Sequence, residues 1–248
     1  MGGVIDGVID GVLFDIDDTL VDTRGAFRRA LAVTSATFLP DLPPARYDEV
    51  LTHWRTDPNG YYRRYSNGTL GFVEQRMARA NELQAMFGGA ELDRAAFDAW
   101  DAAFEDGFRG AWSAHEDAAR VVGLLVAAGV VVGALSNAPV EYQTAKLARV
   151  GLAESVPMLV GTDTLGVGKP DPRVFLEACR RLGTEPARTA YIGDELDIDA
   201  SAAAQAGLVG VWLDRPGTRR FPVSDEEIAA AGVLVVAGLD ELPGALGR

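Results

Sequence analysis

The stretch GVLFDIDDTLVD, Gly11 to Asp22, decides the fold because it changes character in the middle. Val12, Leu13 and Phe14 make a short apolar run of the kind that fills a strand buried on both faces. Asp15, Asp17 and Asp18 then bring three carboxylates into four residues. Carboxylates that close repel one another and hold on to protons unless a cation lies between them. A core strand ending in such a cluster marks a place where negative charge has a use.

Outward from that strand, the chain from about Ala114 onward alternates strand-like and helix-like segments. VVVGAL, VPMLVG, TAYIGD, LVGVWLD and VLVVAG read as buried strands, separated by helices in HEDAARVVGLLVAAG, VEYQTAKLARVG, PRVFLEACRRLG and IDASAAAQAG, with LDELPGALG as a weaker last unit. Continuous rather than alternating apolar runs, separated by helices, predict an α/β fold with a doubly wound parallel sheet. Thr23 to Gly110 is different: AFRRALAVTSATFL, LGFVEQRMARANELQAMFGG and LDRAAFDAWDAAFEDGF carry helical periodicity and no strand-like run. The expected organisation is a core made of residues 1–22 and 111–248, with residues 23–110 an inserted all-helical domain. The duplicated VIDG of residues 4–11 is too short to be a structural repeat.

In an open α/β sheet, ligands bind beyond the carboxyl ends of the strands. Four predicted strand ends or the loops after them deliver polar groups there: Asp15-Ile16-Asp17-Asp18-Thr19, Ser136-Asn137, Gly168-Lys169-Pro170-Asp171-Pro172, and Gly193-Asp194 followed by Asp197 and Asp199. Converging carboxylates with only oxygen donors suit a hard cation such as Mg²⁺. His53 and His115 are the only histidines, and without a histidine cluster zinc is disfavoured. Asp15 and Asp17, two apart in an extended chain, share a face, which lets one attack while the other handles a proton.

Together, DIDDTL, LSN, GKPDP and GDELDID, in this order at strand ends, resemble the haloacid dehalogenase superfamily. The resemblance covers nearly the whole core, and the helical insertion looks like that superfamily's small cap. It implies that Asp15 is a nucleophile forming an aspartyl-phosphate and that Asp17 protonates the leaving oxygen and then activates water. It further implies that Asp15, the main-chain carbonyl of Asp17, and Asp194 hold Mg²⁺. Ser136 and Asn137 would bind the phosphoryl group, Lys169 would neutralise its charge, and Asp199 would orient the metal's water or Lys169. The implied activity is hydrolysis of a small phosphate monoester, with substrate choice resting on the cap. His53 to Gly68, HWRTDPNGYYRRYSNG, has the composition either of a recognition loop or of a helix packed by its Tyr and Arg side chains.

Branches of the superfamily are separable by residues. Dehalogenases lack the acid two positions on, which Asp17 supplies, and phosphonoacetaldehyde hydrolases need a cap lysine, whereas no lysine occurs between Thr23 and Gly110. A sugar phosphomutase shares every core residue and stands as the enzymatic alternative; a catalytically silent binding module on the same fold is the alternative of another class. Asp18 is expected to shape the turn after the first strand. Glu195 is expected either beside the metal or facing solvent, and Asp197 at a helix start.

Composition excludes other classes. A net charge of -13 opposes a nucleic-acid surface. A single cysteine, Cys179, rules out an internal disulfide framework and reads as core packing in a reducing compartment. The amino terminus lacks the basic and apolar regions of a secretory signal, and the longest apolar run, Val121 to Leu135, is too short to span a bilayer and is broken by glycines, so a cytoplasmic monomer or homodimer is expected. GVGKPD fails the P-loop pattern at Asp163 and Pro170, and no glycine-rich dinucleotide loop follows the first strand. The chain holds 21 Arg but only two Lys, Lys146 and Lys169. A lysine kept against that drift at position 169 suggests a site where a planar guanidinium would not fit, while Lys146, in mid-helix, is expected at the surface.

Overall fold

The computed structural model describes residues 8–66 and 68–247; the first copy of the duplicated VIDG, residues 4–7, and Asn67 within the HWRTDPNGYYRRYSNG segment lie outside them. The chain divides into two compact units, one formed by Met1–Asp22 with Ser113–Arg248 and the other by Thr23–Trp112. Ala111 and Trp112, which the sequence reading assigns to the α/β part, go with the helices, because Trp112 packs edge-on to Phe108 at 6.0 Å.

Among the described residues of the α/β unit, six parallel strands are β1 Gly11–Phe14, β2 Val131–Leu135, β3 Met158–Val160, β4 Thr189–Gly193, β5 Val209–Leu213 and β6 Leu234–Val236. They lie in the order β3-β2-β1-β4-β5-β6, so β1 is central and the winding reverses between β1 and β4. Side chains alternate across the sheet, and the apolar runs therefore feed two cores. Val12, Phe14, Val132, Ala134, Ala190 and Ile192 pack with Val121, Val122, Leu125 and Leu147 on one face. On the other, Leu13, Leu135 and Tyr191 pack with Phe175, Ala178, Cys179 and Leu182. Cys179 is thus a core residue, as its sequence context suggests. Burying a side chain of this kind contributes roughly 1.5–3 kcal/mol, so the two cores hold the strand ends in fixed register.

That register places the site. Phe14 pairs with Ala134 of β2 and Ile192 of β4, and the Asp15 amide donates to the Ile192 carbonyl at 2.8 Å. Asp15, Ser136 and Asp194 therefore leave three adjacent strands at one edge. The segment read as one helix after β4 is more irregular: Leu196–Ser201 winds as a π-helical turn before a short α-helix, Ala202–Gln205. The wide turn brings Asp199 back beneath β4, where its carboxyl group lies 2.4 Å from where a Cβ on Gly193 would sit. Only glycine permits that approach.

The helical unit has a different interior. Helix Arg94–Gly110 presents Phe97, Trp100, Phe104 and Phe108 along one buried face at helical spacing. Trp54 meets Phe104 at 5.2 Å and Phe27 stacks on Phe108 at 4.5 Å. Arg76 lies 4.6 Å over the Phe104 ring and pairs with Glu105 at 2.8 Å, which satisfies its charge inside an aromatic layer. In the His53–Gly68 segment the packing reading has direct contacts: His53 meets Glu82 at 2.8 Å, Tyr62 packs on Tyr65, and Tyr65 packs on Phe72. No helix among the described residues is long and apolar enough to cross a membrane.

Candidate active site

Asp15 occupies the first position past β1 and is almost fully buried. Lys169, from the loop before helix Pro172–Leu182, places its ammonium 2.7 Å from Asp15 Oδ1 and 2.6 Å from Asp199 Oδ1, and donates to the Tyr191 hydroxyl at 2.8 Å. The Tyr191 hydroxyl passes the network to the Leu135 carbonyl at 3.0 Å. Asp199 Oδ2 accepts from the Glu195 amide at 3.0 Å. The ammonium thus spends its three N–H donors on three oxygens, the full valence of a lysine.

Burial pushes the Asp15 carboxyl up to about 7, against the pull of Lys169 and with added repulsion from Asp199 and Asp17. Asp194 is raised well above the ordinary carboxylate range, by burial first and then by Asp18, Asp199 and Asp15. Lys169 moves the other way: burial alone would lower it, but Asp15 and Asp199 outweigh that and keep it protonated. One positive charge therefore does not balance the acidic groups around it. Asp15, Asp194 and Asp199 can each bring a carboxylate oxygen within 4.8 Å of the others. An all-oxygen set carrying excess negative charge fits a hard divalent cation, and the Asp194 carbonyl is fixed by the Trp212 indole N–H at 2.9 Å.

Asp17 is held by a second set of partners. Its Oδ2 accepts from Gln143 Nε2 at 2.6 Å and its Oδ1 meets the Lys146 ammonium. Gln143 Nε2 also reaches Ser136 Oγ at 2.7 Å, tying the end of β2 to the Asp17 carboxylate. Lys146 is not at the surface, contrary to its sequence reading: it is 2% exposed, because helix Val140–Arg149 turns Gln143, Lys146 and Leu147 inward. Both lysines of the chain therefore lie at this strand edge.

The remaining candidates divide. Asn137 spends both ends of its side-chain amide on the main chain of Lys169, accepting from its N–H at 2.6 Å and donating to its carbonyl at 2.9 Å, which makes that side chain a strut for the lysine loop. Asp18 takes a left-handed φ of 61° and its amide bonds the Val21 carbonyl, a turn conformation that Asp tolerates. It approaches Asp22 and His115. Glu195 is partly buried and pairs with Arg220 at 3.4 Å, and Asp197 is exposed in the first turn after β4. Tyr191 and Gln143 were not legible as site residues. Tyr191 looks like any aromatic inside a strand; Gln143 could have been found only through its spacing of three from Lys146, which puts the two on one helix face.

A family model described as haloacid dehalogenase-like hydrolase matches residues 9–207. A glyceraldehyde 3-phosphate phosphatase of Methanopyrus kandleri is 39% identical over 87 residues, covering 35% of this chain and 37% of that protein. The chain thus spans little more than a third of that relative. An N-acetylmuramic acid 6-phosphate phosphatase of Pseudomonas aeruginosa is 28% identical over 79% of this chain and 78% of its own. Among solved structures, an L-2-haloacid dehalogenase of Xanthobacter autotrophicus superposes with a TM-score of 0.69 at 20% identity, over 97% of this chain and 99% of that one, a likeness of fold.

Proposed function

The chain belongs to the haloacid dehalogenase-like hydrolase family, and on that premise we propose that it is a Mg²⁺-dependent phosphatase of a small phosphate monoester. The observation that carries this reading is the pair of aspartates two residues apart at the end of β1. Asp15 is buried against Lys169, whereas Asp17 is more open and held apart from it. A dehalogenase reading has no use for Asp17. The names of the relatives, both phosphatases of phosphorylated small molecules, support the same substrate class.

In the proposed reaction an Asp15 carboxylate oxygen attacks phosphorus. The bond from phosphorus to the ester oxygen breaks, its electron pair goes to that oxygen, and the oxygen takes a proton from Asp17. Water then gives a proton to Asp17 and attacks the aspartyl-phosphate, releasing phosphate and restoring Asp15. Lys169 offsets charge on the phosphoryl oxygens, and Ser136 offers a hydroxyl to one of them. Asp15, the main-chain carbonyl of Asp17, and Asp194 would hold Mg²⁺, which supplies positive charge next to the phosphoryl group. Asp199 keeps Lys169 in place, and the helical unit acts as the cap that selects substrate.

The test is hydrolysis of p-nitrophenyl phosphate and of a panel of phosphosugars, phosphoglycolate and nucleoside monophosphates by pure protein. Turnover that needs Mg²⁺ and stops with chelator is expected. No turnover on any of these sinks the reading, and dominant conversion of glucose 1-phosphate to glucose 6-phosphate replaces it with a phosphomutase.

A further inference from the structure

Lys146 is one of two lysines in a chain of 21 arginines, it is buried, and its ammonium meets Asp17. Neither burial nor an ion pair with a partly open carboxylate is needed to build helix Val140–Arg149, whose inward face already has Leu147 in the core. Burying an ammonium costs free energy that only a well-placed and hydrogen-bonded partner offsets. The partner here is held at both oxygens, Oδ1 by Lys146 and Oδ2 by Gln143, one turn earlier on the same helix face. Gln143 is fully buried and also bonds Ser136 Oγ, so the helix joins Asp17 to the end of β2.

From this geometry we infer that Lys146, with Gln143, is a positioning residue that sets the Asp17 carboxyl group toward the leaving oxygen of the substrate. The inference rests on the phosphatase reading and on Asp17 as its proton carrier. Lysine suits this position because a compact ammonium makes a point contact beneath a carboxylate, where the flat guanidinium of arginine needs more room.

The consequence is selective. A group that aims a general acid matters for an alkyl phosphate, whose alkoxide leaves poorly without a proton, and little for p-nitrophenyl phosphate, whose phenolate leaves without one. We expect Lys146→Met to lower kcat/KM about 10- to 100-fold on the alkyl phosphate that the Mg²⁺-loaded wild type hydrolyses fastest, part of the 10²–10⁴-fold range of general acid catalysis, and to lower it far less on p-nitrophenyl phosphate. Gln143→Leu should show the same selective loss, and it decides the matter if Lys146→Met does not fold. In an Asp17→Asn background, Lys146→Met should cost nothing further on the alkyl ester. Equal losses on both esters, no loss on the alkyl ester, or additive losses with Asp17→Asn overturn the inference while leaving the phosphatase reading intact. A wild type that hydrolyses neither ester overturns both.

Discussion

The two halves of the site each pair one aspartate of the DxD stretch with one lysine, yet they are built in opposite ways. Asp15 sits deep in the sheet edge, its lysine comes from a loop, and that lysine is held by Asp199 and Tyr191 as well. Asp17 is more open, its lysine comes from a helix, and its second oxygen is taken by an amide. The contrast follows from what each carboxyl group is proposed to do. A nucleophile must meet phosphorus at one place and gains from rigidity; a proton carrier must exchange protons with a leaving group and with water, and so needs an open side.

The largest expected break is at the proposed nucleophile. Asp15→Asn should remove steady-state turnover while the variant keeps a cooperative thermal transition, because the amide can still accept from Lys169; turnover close to wild type would show the nucleophile to be misassigned. Lys169→Met comes next. Removing a preorganised charge beside a reacting phosphoryl group costs about 10²–10³-fold in kcat, and this loss should appear on p-nitrophenyl phosphate and alkyl esters alike. Lys146→Met is expected to separate those substrates, so the same two-ester assay on both variants tests whether the lysines differ in role.

A pH experiment probes the deep half without catalysis. The Asp15 carboxyl lies at about 7 in the folded, metal-free protein and Asp194 is raised in the same direction, mainly by burial, while in the unfolded chain a carboxyl titrates at about 4. Between these values the folded state binds more protons than the unfolded one, so stability is fully present below about pH 4 on this account and is lost as the pH rises through about 7. With chelator present, the melting temperature should fall from pH 5 to pH 8, and added Mg²⁺ should restore it most at pH 8. A flat metal-free profile would mean that the carboxylates are not crowded as described.

The smallest expected effect is at the strut. Asn137→Ala removes two hydrogen bonds to the Lys169 main chain, each worth about 0.5–1.5 kcal/mol, and should lower kcat several-fold with little change in KM. A rise in KM alone would instead return Asn137 to substrate binding.

Much of the deep half was legible because it is local. Asp15, Lys169, Asp194 and Asp199 lie at strand ends or in the short loops beyond them, and a strand end announces itself by the switch from an apolar run to polar residues. The shallow half was not. Gln143 and Lys146 sit inside an amphipathic helix whose register against β1 is set by packing, and Lys146 meets an aspartate 129 residues away in sequence. The one available signal was compositional: a chain rich in arginine kept two lysines, and the reason that singled out Lys169 applied equally to Lys146. Tyr191 was hidden because an aromatic within a buried strand is ordinary, and only the third dimension shows its hydroxyl reaching Lys169.

By itself, then, the sequence determined the α/β class, the helical insertion and the edge at which the acidic residues gather, since these depend on periodicity and on where apolar runs stop. Tertiary structure decided which oxygen faces which cation. It turned Lys146 inward, wound Leu196–Ser201 wide enough to bring Asp199 under Gly193, and spent Asn137 on a loop. These outcomes depend on the fit of one element against another, and residue spacing along one chain does not encode the distance between two elements that fold together.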